Sequence, residues 1–273
     1  NGLTVAGGNG QGNGINQLYY PCGLYVDDDD QTIYIADASN HCTVEGKWGA
    51  TISQVVAGGN GQGNGTHQLS DPFDVIVDKE EDSLIICVIR IEEWGLTMDE
   101  NGSLYVVDYG KHEVRRYRRG ESQGIVVADG NGSENCLDQL YGPHYVFVNR
   151  DHSVYVSDWG NDRVMKWVEG AKQGIVVAGD QGEGNGLTQL SNPWGVVIDQ
   201  LGTVCVTDRG NHRIMRCPKG ATKGSVIVGG NGRGGQSNQL NVLIGLSFDR
   251  HGKFHVVENE NHGVQKFNID SNA

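Results

Sequence analysis

Short apolar runs separated by turn-forming residues dominate the chain. Pro21 begins the run PCGLYVD, which TIYIAD follows, and Pro193 begins PWGVVID, which TVCVTD follows. Runs rich in Val, Ile and Tyr and bounded by Gly, Asn and Asp are typical of short strands joined by tight turns. A third run and a fourth, such as GIVVAG at Gly174–Gly179, complete a group. The pattern therefore predicts antiparallel units of four strands.

A Gly- and Asn-rich phrase that ends in Gln-Leu recurs about every fifty residues. It occurs at Gly7–Leu18, Gly58–Leu69, Gly179–Leu190 and Gly229–Leu240, and in weaker form at Asp129–Leu140. A fixed period of this size indicates a repeat architecture. No helical pattern follows any copy, so we interpret the phrase as the joint between units rather than as a dinucleotide-binding loop.

The turn after the second strand of most units carries a recurring residue pair. The pairs are Asn40–His41, Asn211–His212 and Asn261–His262, with the variants Lys111–His112 and Asn161–Asp162. With the surrounding patterns P-x-G-V-x-V-D and V-Y-V-x-D-x-x-N-H-R-V, they resemble the NHL repeat. The resemblance covers nearly the whole chain and implies an all-β, six-bladed β-propeller that spans residues 1–273 as a single domain. Its inner strands are expected to begin near Pro21, Pro72, Glu93, Pro143, Pro193 and Leu243.

The last unit lacks a fourth strand of its own. No apolar run follows Phe267, whereas LTVAGG at Leu3–Gly8 has the character of the missing run. The sequence therefore predicts that the N-terminal strand completes the last blade, which removes an open sheet edge.

The second unit is short. Equivalent positions Gly23 and Asp74 lie 51 residues apart, but Asp74 and Gly95 lie only 21 apart. The unit keeps two strands and is expected to leave an apolar edge along Leu84–Ile91, where another chain can add a strand. The candidate contact residues of this edge are Leu84, Ile86 and Val88. Two interpretations stay open: an omitted segment of sequence, and a docking edge for self-assembly.

The first turn of each inner strand is expected to line the mouth of the propeller channel. The predicted ligand contacts are Phe73, Trp94, His144, Trp194 and Ile244, with Cys22 at the sixth position. Aromatic faces with one polar group suit an apolar peptide side chain or a sugar ring; side chains that simply plug the channel are the other interpretation. The NHL-like proteins that this chain resembles also include lyases of the peptide-amidating type, which bind zinc through several channel histidines. Only His144 lies at this level, so no metal, cofactor or catalytic residue is expected.

The cysteines bear on the compartment. Cys205 and Cys217 stand where other units carry an aromatic pair on two neighbouring strands. Cross-strand neighbours lie within reach of a disulfide, so we predict a Cys205–Cys217 bond, which implies an oxidising compartment. Sequons at Asn64, Asn101 and Asn131 are glycosylation sites if the protein is secreted.

Charge and hydropathy exclude two classes of partner. The formal net charge of −13 repels nucleic acid and anionic membrane surfaces, and no apolar stretch is long enough for membrane insertion. We therefore predict a secreted, non-catalytic module for protein binding or self-assembly, whose partner is a protein, copies of itself included, or a glycan. The alternative is a metal-dependent lyase or hydrolase with its site in the central channel.

Overall fold

Antiparallel strands of four to seven residues are the main secondary-structure elements of the described chain. The computed structural model describes residues 2–29, 31–48, 50, 53–88, 93–129, 131–179, 181–236 and 238–268. The strands divide into two compact units, Asn1–Arg90 with Gly229–Ala273, and Ile91–Val228. No helix among the described residues has the length and apolar character needed to cross a membrane.

The first unit contains three sheets. One has β2 (Pro21–Asp27), β3 (Thr32–Asp37), β4 (Cys42–Lys47) and β5 (Ser53–Gly58) in sequence order. A second has only β6 (Pro72–Asp78) and β7 (Ser83–Val88). The third has β20 (Leu243–Phe248), β21 (Phe254–Glu258) and β22 (Gly263–Phe267), with β1 (Leu3–Gly7) as its fourth strand.

Both ends of the chain build the third sheet. β1 runs antiparallel to β22, with Leu3 opposite Lys266 and Gly7 opposite Gly263. Val5 and Ala6 pack against the core that the first and last sheets share. The prediction that the N-terminal strand completes the last sheet is confirmed.

The second unit contains three sheets of four strands each. The first has β8 (Glu93–Met98), β9 (Leu104–Asp108), β10 (Glu113–Tyr117) and β11 (Ile125–Asp129). The next has β12 (Pro143–Val148), β13 (Val154–Asp158), β14 (Arg163–Trp167) and β15 (Ile175–Ala178). The last has β16 (Pro193–Ile198), β17 (Val204–Asp208), β18 (Arg213–Cys217) and β19 (Ser225–Gly229).

The predicted count of six blades is corrected by these sheets. The described residues form five complete four-stranded sheets, and the sheet of the second repeat has only two strands. The spacing of 21 residues between Asp74 and Gly95 leaves room for one hairpin and no more. The short second repeat is therefore present in the structure as the sequence spacing predicts.

Central strands are buried on both faces. All five residues of β13 and all five of β17 are buried. Neighbouring sheets of the second unit cover both faces of β13, where Val154 and Val156 belong to one core cluster and Tyr155 to the next, so this strand has a nearly continuous apolar run in place of strict alternation. The outermost strands, such as β5, remain largely exposed. Sheet-on-sheet packing is thus what holds each unit together.

The turn between the second and third strands has one recurring geometry in four of the complete sheets. A single turn of 3₁₀ helix ends on a residue in the left-handed region, with φ of 53° at His41 and 50° at His212. The preceding Asn binds the Asp that ends the strand: Asn40 Nδ2 donates to Asp37 Oδ2 at 2.8 Å. The Asn-His pairs therefore shape turns, as short polar side chains do in tight turns.

Arginines anchor the Gly-Asn phrase to this turn. Arg213 Nε donates to Asp208 Oδ2 at 2.6 Å. Its other nitrogens donate to backbone carbonyls of the phrase, at Asn185 (2.7 Å), Gly186 (2.9 Å) and Gln189 (3.1 Å). Arg163 repeats the arrangement with Asp158. The phrase is a structural joint between consecutive sheets.

The predicted Cys205–Cys217 disulfide is wrong. Both cysteines are free and buried. Cys217 lies opposite Val204, and Cys205 lies opposite Arg216. Because side chains alternate between the faces of a strand, this one-residue offset puts the two thiols on opposite faces of the sheet.

Candidate functional site

An aromatic cluster lies in the second unit, where its inner strands β8, β12 and β16 begin. The ring centroids of Trp94 and His144 are 4.8 Å apart, and those of His144 and Trp194 are 4.1 Å apart. The two tryptophans also meet edge to face at 5.9 Å. Three of the five predicted contacts therefore come together in this unit. The other two, Phe73 and Ile244, belong to the first unit, where both are buried.

His144 is the neutral centre of this aromatic cluster. It is 4% exposed, and its Nδ1 lies 2.8 Å from the carbonyl oxygen of Gly142. Since a carbonyl only accepts, Nδ1 carries the proton. Burial, with a smaller contribution from the Arg209 guanidinium, lowers the pKa of His144 to about 4 against the effect of the Gly142 hydrogen bond. The imidazole is therefore uncharged near neutral pH.

The rim of the cluster comes from a second position in each repeat of the second unit. Tyr109, Trp159 and Arg209 each follow the Asp that ends the second strand. Tyr109 lies 5.5 Å from Trp94, Trp159 lies 5.1 Å from His144, and the Arg209 guanidinium lies 5.0 Å above Trp194. All three rim residues are half-buried. The sequence interpretation missed them, although their constant offset from a recurring Asp is a usable signal.

The rim offers a donor as well as aromatic faces. Trp159 Nε1 is buried and has no hydrogen-bond acceptor among the residues that the structure describes. His144 and Trp194 are buried beneath the rim. A ligand at this site would therefore contact the rim first, as aromatic recognition of a side chain or sugar ring requires.

β7 forms the open edge of the two-stranded sheet. It pairs antiparallel with β6, with Ile86 opposite Val75 and Leu84 opposite Val77. Within the described ranges no strand pairs with its other edge. Leu84, Ile86 and Val88 are half-buried. Residues 89–91 of the predicted edge lie outside the described part of the chain.

An internal NHL motif identifies the repeat. Residues 190–216 match the family model of the NHL repeat. The protein is a β-propeller that contains an NHL repeat. The matched segment comprises β16, β17 and the start of β18, together with the Asn211–His212 turn. No curated protein matches the chain.

Solved structures share the fold of this NHL-repeat propeller at low identity. A protein of unknown function from Bacteroides thetaiotaomicron is 14% identical over 99% of this chain and 76% of its own, with a TM-score of 0.77. An auxiliary nutrient binding protein from the same organism is 16% identical with the same coverage and a TM-score of 0.73. A streptogramin B lyase is 9% identical over 93% of this chain and 95% of its own, with a TM-score of 0.59.

The metal-dependent alternative has no candidate ligand set in the described residues of the NHL-repeat propeller. Among them, no three His, Cys, Asp or Glu side chains stand close enough to hold one ion. The aromatic cluster contributes the single imidazole of His144, whereas catalytic zinc sites use three protein ligands.

Cysteine labelling should distinguish one thiol from five. Cys136 is exposed and the other five are buried. Burial raises the pKa of Cys22, Cys42 and Cys205 to about 12 and that of Cys217 to about 11. Thiols react as thiolates, so we expect iodoacetamide at pH 8 to modify one site in the native protein and six after unfolding. Intact mass checks the count.

Replacing Cys136 by serine is the control for this labelling experiment. The variant should take up no label while folded and five labels after unfolding. A linked peptide containing Cys205 and Cys217, recovered without reduction, would contradict the register of β17 and β18.

Proposed function

We propose that this NHL-repeat propeller is a non-catalytic protein-binding module that self-associates through the free edge of β7. One observation carries the proposal: the second repeat stops after two strands and leaves an apolar edge of Ser83–Val88. Backbone N–H and C=O groups on such an edge accept an added strand. The occupant is β7 of a second copy, in antiparallel pairing.

Charge supports the antiparallel arrangement. The turn that precedes β7 contains Asp78, Glu80, Glu81 and Asp82 around the single cation Lys79. Antiparallel pairing places the two acidic turns at opposite ends of the joined strands, which limits the repulsion between two copies of net charge −13. A parallel pairing would put the turns side by side.

The aromatic rim supports a second binding surface on the same module. Tyr109 and Trp159 present half-buried ring faces around the buried His144. A fold neighbour is named an auxiliary nutrient binding protein. We propose that the rim takes an apolar peptide side chain or a sugar ring, a class of ligand that stacks on aromatic faces.

An extracellular location is part of the proposal. Cys205 and Cys217 are free thiols, so no disulfide between them supports an oxidising compartment. The exposure of Asn64, Asn101 and Asn131 supports the proposal, because sequons are glycosylated on surface turns of secreted proteins.

Sedimentation analysis tests self-association. At a net ~1 kcal/mol per backbone hydrogen bond, two short strands associate weakly, so we expect dimers only above about 10 µM. Ile86→Lys should abolish the dimer, since symmetric pairing brings the two new ammonium groups close together. Leu201→Lys is the matched control, because Leu201 is 77% exposed and lies far from β7 in the sequence. It should leave the dimer unchanged.

Proline substitutions separate edge docking from ordinary loss of stability. Neighbouring residues of a strand direct their N–H groups to opposite sides. Of Leu84→Pro and Ile85→Pro, one should therefore lower the melting temperature, and the other should remove the dimer at unchanged melting temperature. A wild-type protein that stays monomeric up to about 300 µM contradicts the proposal.

A further inference from the structure

A cavity of about 400 Å³ opens in the first unit, between the sheet that β1 completes and the sheet that begins with β2. Apolar side chains of β1 and β3 form part of its wall. The polar part consists of Trp48, His255 and three lysines, Lys47, Lys253 and Lys266. Cavities of this size hold small molecules.

His255 contributes a buried hydrogen-bond acceptor. Its side chain is 1% exposed, and its Nε2 lies 3.4 Å from Asp249 Oδ2. The Lys266 ammonium and backbone N–H groups lower the pKa of Asp249 to about 2 against the effect of burial, so the carboxylate is ionised and Nε2 must carry the proton. Burial lowers the pKa of His255 to about 4, so the ring is neutral near pH 7 and Nδ1 keeps its lone pair. Nδ1 has no donor among the described residues.

Trp48 contributes a donor beside that acceptor. The rings of Trp48 and His255 lie 6.2 Å apart at an angle of 25°. Trp48 Nε1 is buried, and the described residues supply no acceptor for it. Buried polar atoms without partners are costly. A donor and an acceptor in this condition on one cavity wall point to a ligand that carries the complementary groups.

Three cations face the same cavity in a protein of net charge −13. Lys266 Nζ lies 4.3 Å from the Trp48 ring and 2.6 Å from Asp249 Oδ2. Lys47 Nζ donates to the hydroxyl of Thr32 at 2.5 Å. Asp249 offsets one of the three positive charges, so the cavity wall favours an anionic ligand.

The repeats show what this cavity replaces. Tyr105 stands at the position of His255, and its hydroxyl donates to Asp99 at 3.2 Å. Tyr155 stands at the same position in the next sheet. Neither tyrosine has an imidazole lone pair, so among the described sheets this acceptor occurs only in the last one.

The residues that line the cavity beside His255 also differ from their equivalents in the second unit. Arg116 occupies the position of Lys266, since each lies opposite the residue just compared. Arg116 binds Glu169 of the following sheet at 2.9 Å, and Glu169 is the repeat equivalent of Trp48. An ion pair thus closes the junction in the second unit, where the first unit has an aromatic ring and a cavity.

We propose that this cavity binds a small hydroxylated organic anion of the sugar-acid class. Its carboxylate meets the lysine ammonium groups, one hydroxyl donates to His255 Nδ1, and an oxygen accepts from Trp48 Nε1. The apolar wall contacts the C–H face of the ring. The site is independent of the β7 edge and of the aromatic rim.

Calorimetric titration of the full chain tests the site with three probes. D-glucuronate should bind at least ten-fold more tightly than D-glucose, which lacks the carboxylate, and than inorganic phosphate, which carries charge alone. Ten-fold corresponds to about 1.4 kcal/mol. Comparable binding of phosphate would overturn the sugar-acid assignment in favour of a simple anion site, and absence of glucuronate binding would overturn the site itself.

Variants test the named atoms. His255→Tyr installs the residue that three other sheets carry, at Tyr34, Tyr105 and Tyr155, so it should keep the melting temperature and weaken glucuronate binding at least ten-fold. Lys253→Gln should weaken it several-fold, whereas Lys223→Gln, the matched loss of a lysine in the second unit, should not. Trp48→Phe keeps an aromatic ring and removes only the N–H, so it provides a second check if His255→Tyr unfolds. Unchanged glucuronate binding in either Trp48→Phe or a folded His255→Tyr overturns the proposal.

Discussion

Replacing Asp208 by alanine is expected to destabilise the protein by about 3–5 kcal/mol, because it strands a buried guanidinium. Asp208 is fully buried and binds Arg213 Nε at 2.6 Å. Its Oδ1 also accepts the backbone N–H of Ser191 at 2.7 Å. Both the turn and the anchored Gly-Asn phrase lose their common partner. Urea denaturation at pH 7 measures the change in the free energy of unfolding.

Asp37 supplies the matched control for that substitution. It accepts the N–H of Tyr19 at 2.7 Å and the amide of Asn40 at 2.8 Å. Cys42 stands where Arg213 stands, so Asp37→Ala removes the same acceptors without stranding a cation. We expect a loss of only about 1–3 kcal/mol. Equal losses in the two variants would contradict the role assigned to Arg213.

The burial of Asp37 also predicts an unusual pH dependence. Burial raises the pKa of Asp37 to about 6 from 3.8, against the hydrogen bonds from Asn40 and Tyr19. The folded state therefore holds this proton more tightly than the unfolded state. Stability from this group is fully present below pH 3.8 and is lost as the pH rises through 6. The shift corresponds to roughly 3 kcal/mol between those limits.

Comparison with Asp37→Asn isolates this effect from other titrations. The wild-type protein should gain about 2 kcal/mol on the variant between pH 7 and pH 4.5, as measured by urea denaturation at each pH. Cys42→Arg should reduce the gain without removing it, because the new guanidinium lowers the pKa of Asp37 while burial still raises the pKa, as it does for Asp158 and Asp208 beside their arginines. A stability difference between wild type and Asp37→Asn that does not vary with pH would refute the burial argument.

Local patterns sufficed to predict most of the fold. Turn residues at a fixed period placed the strands, and the displaced run at Leu3–Gly8 predicted the pairing of β1 with β22. The short interval before Gly95 predicted the two-stranded sheet. These predictions were correct because strand length, turn type and repeat period are determined by residues that are close together in the sequence.

Properties that depend on register or distant packing were beyond the sequence. Cys205 and Cys217 occupy equivalent aromatic positions, but a one-residue offset between β17 and β18 separates their thiols. Nothing local reports that offset, since a slip of one residue exchanges the two faces of a strand. The cavity could not be predicted for a similar reason, because Trp48 and His255 lie more than two hundred residues apart in the sequence.

The pairing of β1 with β22 also delays the formation of this strand pair during protein synthesis. Leu3 is synthesised 263 residues before its partner Lys266. At about 5–20 residues per second, the first strand waits roughly 15–50 s before its hydrogen bonds can form. During that time an exposed β-forming segment must avoid every other strand edge, including that of β7. Nascent-chain protection of Leu3–Gly7 is therefore as much a requirement of this architecture as any contact in the finished protein.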